Sequence, residues 1–296
     1  LAANALLPVL SINQWAFIHS VVAVIMVLYG RYSLFETMMK CFIALMFVTV
    51  IAAVIKLSPD WQWVAAGLVP GIPEGSLKLI LGVIGGVGGS VTLLCYGYWM
   101  REKQWTTASD IPAMRVDLWS AYGITAVFGI CILILAASAR PELVKGSGIL
   151  LALAHQLETL LGPFYRWLFL VGFWGAVFSS MLGVWQGVPY LFADFIQMLK
   201  QQTPPKDFRH TGAYRGFLVF LAIPPFSLLF YEKPVWLAIT YAVAGAFFMP
   251  FLAATLLYMN NRQPWLNTAR NRWWSNLLLG SALLLFVILM AQKLVA

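Results

Sequence analysis

Long apolar blocks, separated by short polar loops, dominate the pattern of hydrophobic and polar positions along this chain. A bilayer core of about 30 Å needs roughly 20 apolar residues in helical form. Because lipid supplies no water for unpaired backbone groups, each long apolar block is predicted to be a transmembrane helix. The pattern therefore predicts an all-α membrane protein with about eight transmembrane helices. The eight blocks are Gln14–Gly30, Cys41–Leu57, Leu77–Trp99, Leu118–Ser138, Trp167–Ile196, Phe217–Tyr231, Val235–Met259 and Asn276–Ala291.

Two segments depart from a simple membrane span. The short sixth block contains Pro224 and Pro225, so it is predicted to be kinked or partly unwound. The segment Gly148–Gly162 is apolar but carries His155 and Glu158, and it is too short and too polar to span. It is predicted to form an amphipathic helix that lies on the membrane or caps the bundle.

The composition agrees with a membrane protein, because 61% of the residues are hydrophobic and 10% are charged. A soluble domain usually carries about 25% charged residues. The net charge is +8, but the Lys and Arg residues lie between apolar blocks and form no basic face, so no nucleic-acid partner is expected. If the first block ends in the cytoplasm, twelve of the nineteen basic residues lie on the cytoplasmic side, which favours that orientation.

The chain is expected to be one transmembrane domain, residues 1–296, that is truncated at its N-terminus. Leu1–Leu10 resembles the tail of a helix, with no basic region or cleavage signature of a signal peptide. The sequence contains no GxxxxGK[ST] loop, so an ATP-driven pump on this chain is not expected. Paired intramembrane carboxylates and HExxH are also missing, so the chain is predicted not to be an enzyme and to need no cofactor.

The third block holds the densest cluster of glycines in the chain. Five glycines lie near the middle of one predicted span, and each costs about 1 kcal/mol in a helix relative to Ala. Close helix packing is one interpretation, because small residues let backbones approach. The density favours a second interpretation, in which Gly85–Gly89 is non-helical and borders a central cavity near mid-membrane, as substrate sites of secondary transporters do.

Other polar groups inside the blocks are few. Ser179 and Ser180 in the fifth block are either packing groups or a second polar site. His19 lies well inside a block, where a lone His is more often a satisfied core residue than a proton relay. No Asp or Glu lies mid-membrane. A dehydrated dication needs negative or soft ligands, so this stretch alone is not expected to transport.

Several segments, in order and with similar spacing, resemble the Nramp divalent-metal transporters. WAFIHSVVAVIMVLYGRYSLFETMMKCFIALM resembles the fourth helix, basic loop and fifth helix of that family. LETLLGPFYRWLFLVGFWGAVFSSMLG resembles its amphipathic segment and eighth helix, and MPFLAATLLYMNNR resembles its tenth. The chain resembles the C-terminal two-thirds of a family member, about helices four to eleven. The resemblance implies part of a leucine-transporter-like fold of two inverted repeats.

The resemblance also implies where a metal would bind and how this chain differs. In the family, the sixth helix carries a Met-Pro-His motif whose Met sulfur binds the metal together with a carbonyl three residues earlier. Here the motif aligns with Gly89, Ser90 and Val91, and the carbonyl belongs to Gly86. The implied metal-site residues are therefore Gly86, Gly89 and Ser90. Thioether sulfur favours soft transition metals, so its loss is expected to weaken selectivity against hard dications.

Further family positions are altered in this chain. Phe248 aligns with a tenth-helix Gln of the metal site, and Arg215 is out of register with the ninth-helix arginine pattern. The first-helix Asp and Asn ligands lie outside this stretch of the family. The chain is therefore interpreted as a divergent member.

The expected function is secondary transport of divalent metal cations, Mn- and Fe-like and in this chain also Mg²⁺, by proton-linked uptake. The expected partners are the transported ion and the lipid bilayer, and the expected location is a bacterial-type inner or plasma membrane, as a multi-pass protein. The alternative is a carrier of the same fold for another small solute, an organic cation or an amino acid. The missing Met, His and Gln favour that alternative.

Overall fold

The structure is a computed structural model that describes residues 1–29, 32–69, 71–87, 92–138, 148–203, 205, 207–231, 234–262 and 271–295. Within these residues the chain forms α-helices and short 3-10 segments and no strand. The helices are α1 (Ala2–Leu6), α2 (Ile12–Tyr29), α3 (Tyr32–Leu57), α4 (Trp61–Ala66), α5 (Leu77–Val87), α6 (Thr92–Glu102), α7 (Ile111–Ser138), α8 (Gly148–Leu161), α9 (Pro163–Leu199), α10 (Gly212–Ala222), α11 (Pro234–Ala246), α12 (Phe248–Asn261) and α13 (Trp273–Val295).

Contacts between the helices divide the chain into two compact units. Unit 1 consists of Leu1–Val69 and Leu94–Pro234, and unit 2 consists of Pro70–Leu93 and Val235–Ala296. Unit 1 therefore contains α9 together with most of α6, whereas α5 belongs to unit 2 with α11, α12 and α13.

The 37-residue helix α9 is the central element of unit 1. It packs along α3, where a Cβ on Gly172 would lie 2.9 Å from the Cα of Met46. Glycine at this position lets the two backbones approach more closely than any side chain would permit. The neighbouring Thr49 is buried, and its hydroxyl donates to the carbonyl of Leu45, so α3 satisfies its own polar group.

Helix α8 confirms the prediction of an amphipathic helix at Gly148–Gly162. Its apolar side carries Ala154 and Leu157, which are fully buried in a cluster with residues of α3, α7 and α9. Its polar side carries His155 and Glu158, whose side chains lie 3.3 Å apart. The helix is thus attached to unit 1 by a narrow apolar stripe, as its pattern predicts.

The sixth block is partly unwound, as its two prolines predict. Helix α10 ends at Ala222, and residues Pro224–Tyr231 continue as a 3-10 segment. A proline has no N–H to donate to the preceding turn, so the α-helical hydrogen-bond pattern stops there. Ser20 of α2 is buried, and its hydroxyl lies 3.4 Å from the carbonyl oxygen of Ala222, where it supplies a donor.

Unit 2 has a smaller core, and a pair of amides joins two of its helices. Leu81, Ala246, Phe286 and Leu289 form the buried cluster. The side-chain amides of Asn261 in α12 and Asn276 in α13 exchange hydrogen bonds of 2.9 and 3.0 Å. This reciprocal pair satisfies a donor and an acceptor on each amide.

Four segments in the described part of the chain are long and apolar enough to cross a membrane: Ile12–Tyr29, Ala108–Ser138, Pro163–Leu199 and Trp236–Asn261. Shorter apolar helices occupy the other predicted blocks, at Ala44–Leu57, Leu77–Val87, Gly212–Leu228 and Trp273–Leu289. The predicted class, an all-α membrane protein, is confirmed.

Candidate functional site

The described part of the glycine-rich stretch that was predicted to hold the metal site, Gly85 and Gly86, lies at the C-terminal part of α5, in unit 2. Gly85 is buried, and a Cβ there would overlap the carbonyl oxygen of Ala242 and lie 2.7 Å from the backbone nitrogen of Ala246. Gly85 therefore serves close packing of α5 against α11. At Gly86 a Cβ would meet the Cβ of Ala242 at an ordinary 3.8 Å.

The prediction that Gly85–Gly89 is non-helical is wrong for its first part, because α5 continues to Val87. The physical reason is the backbone contact with α11, which stabilises the helix despite its glycines. Gly89 and Ser90, the two other predicted metal-site residues, lie outside the described residues. Their assignment, like that of the Gly86 carbonyl, stays a prediction.

The predicted second polar site on α9 separates into two different environments. Ser179 is 3% exposed, and its hydroxyl donates to the carbonyl of Ala176 one turn earlier at 2.9 Å. Ser180 is exposed. The next residue, Met181, packs against the buried cluster formed by α2, α9 and α10. Ser179 and Met181 thus contribute to the packing of unit 1.

His19 is held between α2 and α9 by two hydrogen bonds. Its Nδ1 lies 2.6 Å from the carbonyl of Trp15, and its Nε2 lies 2.6 Å from the indole N–H of Trp174. A carbonyl only accepts and an indole N–H only donates, so Nδ1 carries the hydrogen and Nε2 accepts. The ring also makes an edge contact with Phe178, which stacks on Trp174. Both ring nitrogens of His19 thus have partners, which agrees with the first of its two predicted interpretations, a satisfied residue.

Three side-chain hydrogen bonds join α6 to α9 in unit 1. Tyr98 donates to Asp194 at 2.6 Å, Trp99 donates to Gln186 at 2.6 Å, and Tyr190 donates to Glu102 at 2.8 Å. We call these three pairs the α6–α9 clasp. None of these pairs was predicted from the sequence. The available signal was a tyrosine four residues before a carboxylate at the end of each helix, Tyr98 with Glu102 and Tyr190 with Asp194.

The loop after α9 extends the clasp. The hydroxyl of Tyr190 lies 3.4 Å from Asp207, whose carboxylate accepts bonds of 2.9 to 3.0 Å from the backbone and guanidinium of Arg209. Burial raises the pKa of Asp207, but the hydrogen bonds and charge of Arg209 outweigh it, so the pKa lies below its ordinary value. The same bonds raise the pKa of Arg209. Both groups are therefore charged at neutral pH.

The chemistry available in these clusters is hydrogen bonding and helix attachment. The described part of the chain contains no group of three or more His, Cys, Asp or Glu side chains that could hold a metal ion. The carboxylates of the clasp and of Asp207 already accept hydrogen bonds from tyrosines or from Arg209, so they suit positioning of helices better than coordination of a dication.

Long apolar helices, with buried polar groups paired between neighbours, define an all-helical integral membrane protein. A sequence profile described as natural resistance-associated macrophage protein-like (Nramp) matches residues 1–296. The chain belongs to the Nramp family, which transports divalent metal ions across membranes. A search of individually curated proteins finds no match.

Proposed function

We propose that this protein takes up divalent metal ions by proton-linked secondary transport and that it accepts Mg²⁺ as well as Mn²⁺- and Fe²⁺-like ions. Membership of the Nramp family over residues 1–296 is the observation that carries the general part of the proposal. The proposed location is a bacterial-type inner or plasma membrane, which the protein crosses several times.

The breadth of the proposed substrate range rests on ligand type. By resemblance to the family, Gly89 aligns with a Met whose sulfur would bind the metal, and the Gly86 carbonyl and Ser90 are the other proposed ligands. Only oxygen ligands remain in this set, and Mg²⁺ prefers oxygen and keeps part of its water. Met181, the methionine next to the α9 serines, is partly buried and packs against the core cluster of unit 1, which supports a site without sulfur from that residue.

A carrier of another small solute, an organic cation or an amino acid, is the second candidate. It is favoured by the replaced family residues and by the lack of a His, Cys, Asp or Glu cluster among the described residues. Such a solute needs fewer anionic ligands than a dehydrated dication does, because its charge is spread over a larger volume.

Uptake into vesicles that contain the purified full-length protein distinguishes the two candidates, since residues 1–296 alone are not expected to transport. Mn²⁺, Cd²⁺ and Mg²⁺ are each supplied outside, with and without an inward proton gradient, and internal dyes record entry. We expect uptake of all three ions, faster with the gradient. No uptake of any dication would contradict metal transport, and uptake of a labelled organic cation or amino acid instead would establish the second candidate.

A further inference from the structure

We propose that Gln186 and Tyr190 of α9 are positioning residues for transport, which keep residues 94–102 of α6 attached to α9 throughout the transport cycle. The inference rests on the proposed function in one respect, because transport is the activity that the attachment would serve. It concerns residues that all belong to unit 1.

Three hydrogen bonds, spaced along both helices, form the α6–α9 clasp. Tyr98 and Trp99 act as donors on α6, while Glu102, one turn later, acts as an acceptor. Two of the three acceptors are carboxylates, and hydrogen bonds to charged groups are stronger than neutral ones. Rotating or sliding α6 along α9 would break all three bonds together.

Inside the clasp, the backbones of α6 and α9 approach each other closely. Cys95 is fully buried against Gly187, where an added Cβ would lie 2.8 Å from the Cβ of Cys95 and 3.3 Å from the ring of Trp99. Glycine therefore lets α6 rest directly on the α9 backbone. Close approach at Gly187 and hydrogen bonds on both sides of it hold the segment in one position.

The α9 residues of the clasp are themselves held in place by burial and by contacts with the residues that follow α9. Gln186 and Tyr190 are 9% and 7% exposed. Tyr190 contacts Phe208 and Tyr214 edge to face, and its hydroxyl also lies near Asp207, which Arg209 holds. The side chains of Gln186 and Tyr190 are therefore held in place and could not move along with α6 if α6 shifted.

The position of α6 in the sequence gives the clasp a consequence for transport. Residues 94–102 begin four positions after Ser90 and five after Gly89, the proposed metal-site residues. A segment that stays attached to α9 fixes the point at which the chain leaves that site. Movement during transport must then occur before residue 94 and not between α6 and α9.

A disulfide between Cys95 and an introduced Gly187→Cys tests this directly. The protein carries Cys41→Ser to remove the exposed thiol. Bridged Cβ atoms lie about 3.5–4.5 Å apart, so a shift of roughly 1 Å is needed. We expect an oxidant to form the bridge with equal yield with and without Mn²⁺, and Mn²⁺ uptake to change less than about twofold.

The control is Gly187→Cys with Cys95→Ala, which cannot form the bridge and should not respond to the oxidant. Uptake that stops on oxidation and returns with a reductant would overturn the proposal, because α6 would then have to leave α9. If no variant or parent protein carries a divalent ion, the proposed function fails. The cross-linking yield with and without Mn²⁺ still decides whether α6 stays on α9.

Variants that each remove one hydroxyl test the clasp without adding volume at Gly187. Tyr98→Phe removes a bond to α9, whereas Tyr96→Phe removes a similar 3.0 Å bond from α6 to Asp117 of α7. We expect Tyr98→Phe and Tyr190→Phe to lower uptake per folded molecule roughly 3- to 10-fold, and Tyr96→Phe to have a smaller effect. Equal effects of Tyr98→Phe and Tyr96→Phe would contradict a special role of α9.

Restoring uptake with the disulfide shows whether Gln186 positions α6 or only stabilises the protein. In Gln186→Leu with Gly187→Cys, loss of the Trp99 bond should lower uptake under reducing conditions. Oxidation should restore uptake, measured well below the unfolding temperature, because the bridge replaces the missing attachment. Failure of the bridged protein to recover would contradict positioning as the role of Gln186.

Discussion

Trp174 donates its indole N–H to Nε2 of His19 over 2.6 Å, and this bond leaves the imidazole with its hydrogen on Nδ1. Protonating Nε2 would place two donors against each other and break the link between α9 and α2. His19 is therefore expected to serve the attachment of α2 to α9 and not to relay protons during transport.

The matching prediction concerns the pH dependence of uptake. Gln can both donate and accept, so His19→Gln should keep the pH profile of metal uptake, with rates within about threefold of the parent protein. The measurement is Mn²⁺ uptake into vesicles between pH 5 and 8. His155→Gln, which changes an exposed residue of α8, is the control. A flattened profile specific to His19→Gln would contradict a purely structural role.

Adjacent glycines in α5 should respond very differently to the same substitution. Gly85→Ala places a Cβ against the backbone of α11, which cannot move aside as a side chain can, and should destabilise unit 2 by about 1–3 kcal/mol or more. Gly86→Ala meets only ordinary contacts and should be neutral or slightly stabilising, because Ala favours helix. Thermal unfolding of the purified variants is the measurement. Equal unfolding temperatures would show that α5 and α11 are not packed at Gly85.

The Asp207–Arg209 pair predicts a dependence of stability on pH. Because the pKa of folded Asp207 lies below its ordinary value of 3.8, its contribution is present above that pH and is lost as pH falls through the folded value. Asp207→Asn should therefore lower the unfolding temperature at pH 7. The free energy of unfolding should fall by less than about 1 kcal/mol, since the pair is partly exposed.

The same variant should match the parent protein in strong acid, where Asp207 is protonated in both states. Unfolding of the two proteins in detergent at pH 7 and at a series of falling pH values checks this, because the difference should shrink as pH falls below 3.8 and through the folded pKa. Arg209→Lys keeps the charge but loses the two-pronged geometry, so it should have an intermediate effect at pH 7. A difference that persists unchanged in acid would show that charge on Asp207 does not stabilise the loop.

Restoring a sulfur ligand tests the proposed metal selectivity. Gly89→Met should increase binding of Cd²⁺ and Mn²⁺ relative to Mg²⁺, by roughly tenfold if one oxygen or water ligand is replaced by thioether. Calorimetry on the parent protein and the variant gives the ratio, and Gly82→Met on α5 serves as a control away from the aligned position. Strong Cd²⁺ selectivity in the parent, unchanged by Gly89→Met, would show that this position does not set selectivity.

Helix positions followed from local sequence where the signal was itself local. The prolines at 224 and 225 stop an α-helix through their missing N–H groups, whatever surrounds them. Helix starts were predicted less well. Helix α7 begins at Ile111, seven residues before the apolar block. A 3-10 turn, Ala108–Asp110, which Thr107 and Asp110 cap, leads into it, and the polar residues Arg115 and Asp117 continue it.

The contacts at the candidate sites join residues that are distant in sequence. A single sequence does not show which of these residues are neighbours in the fold. The glycines of α5 indicated close approach or a break, and Ala242, 157 residues after Gly85, decides for packing at that position. The clasp joins residues such as Trp99 and Gln186 that are 87 positions apart. A polar residue at the end of an apolar block has many possible partners, and only the packing of α6 on α9 selects one.

The reciprocal amides of Asn261 and Asn276 have a consequence for how α12 and α13 align. Sliding either helix by one turn, about 5.4 Å, would separate both amides at once. Such a bond contributes little free energy inside a membrane, about 0.6 kcal/mol on average, because other partners are available there. Its main effect is discrimination between alignments: one alignment of α12 and α13 lets the two amides satisfy each other, and every shifted alignment separates them.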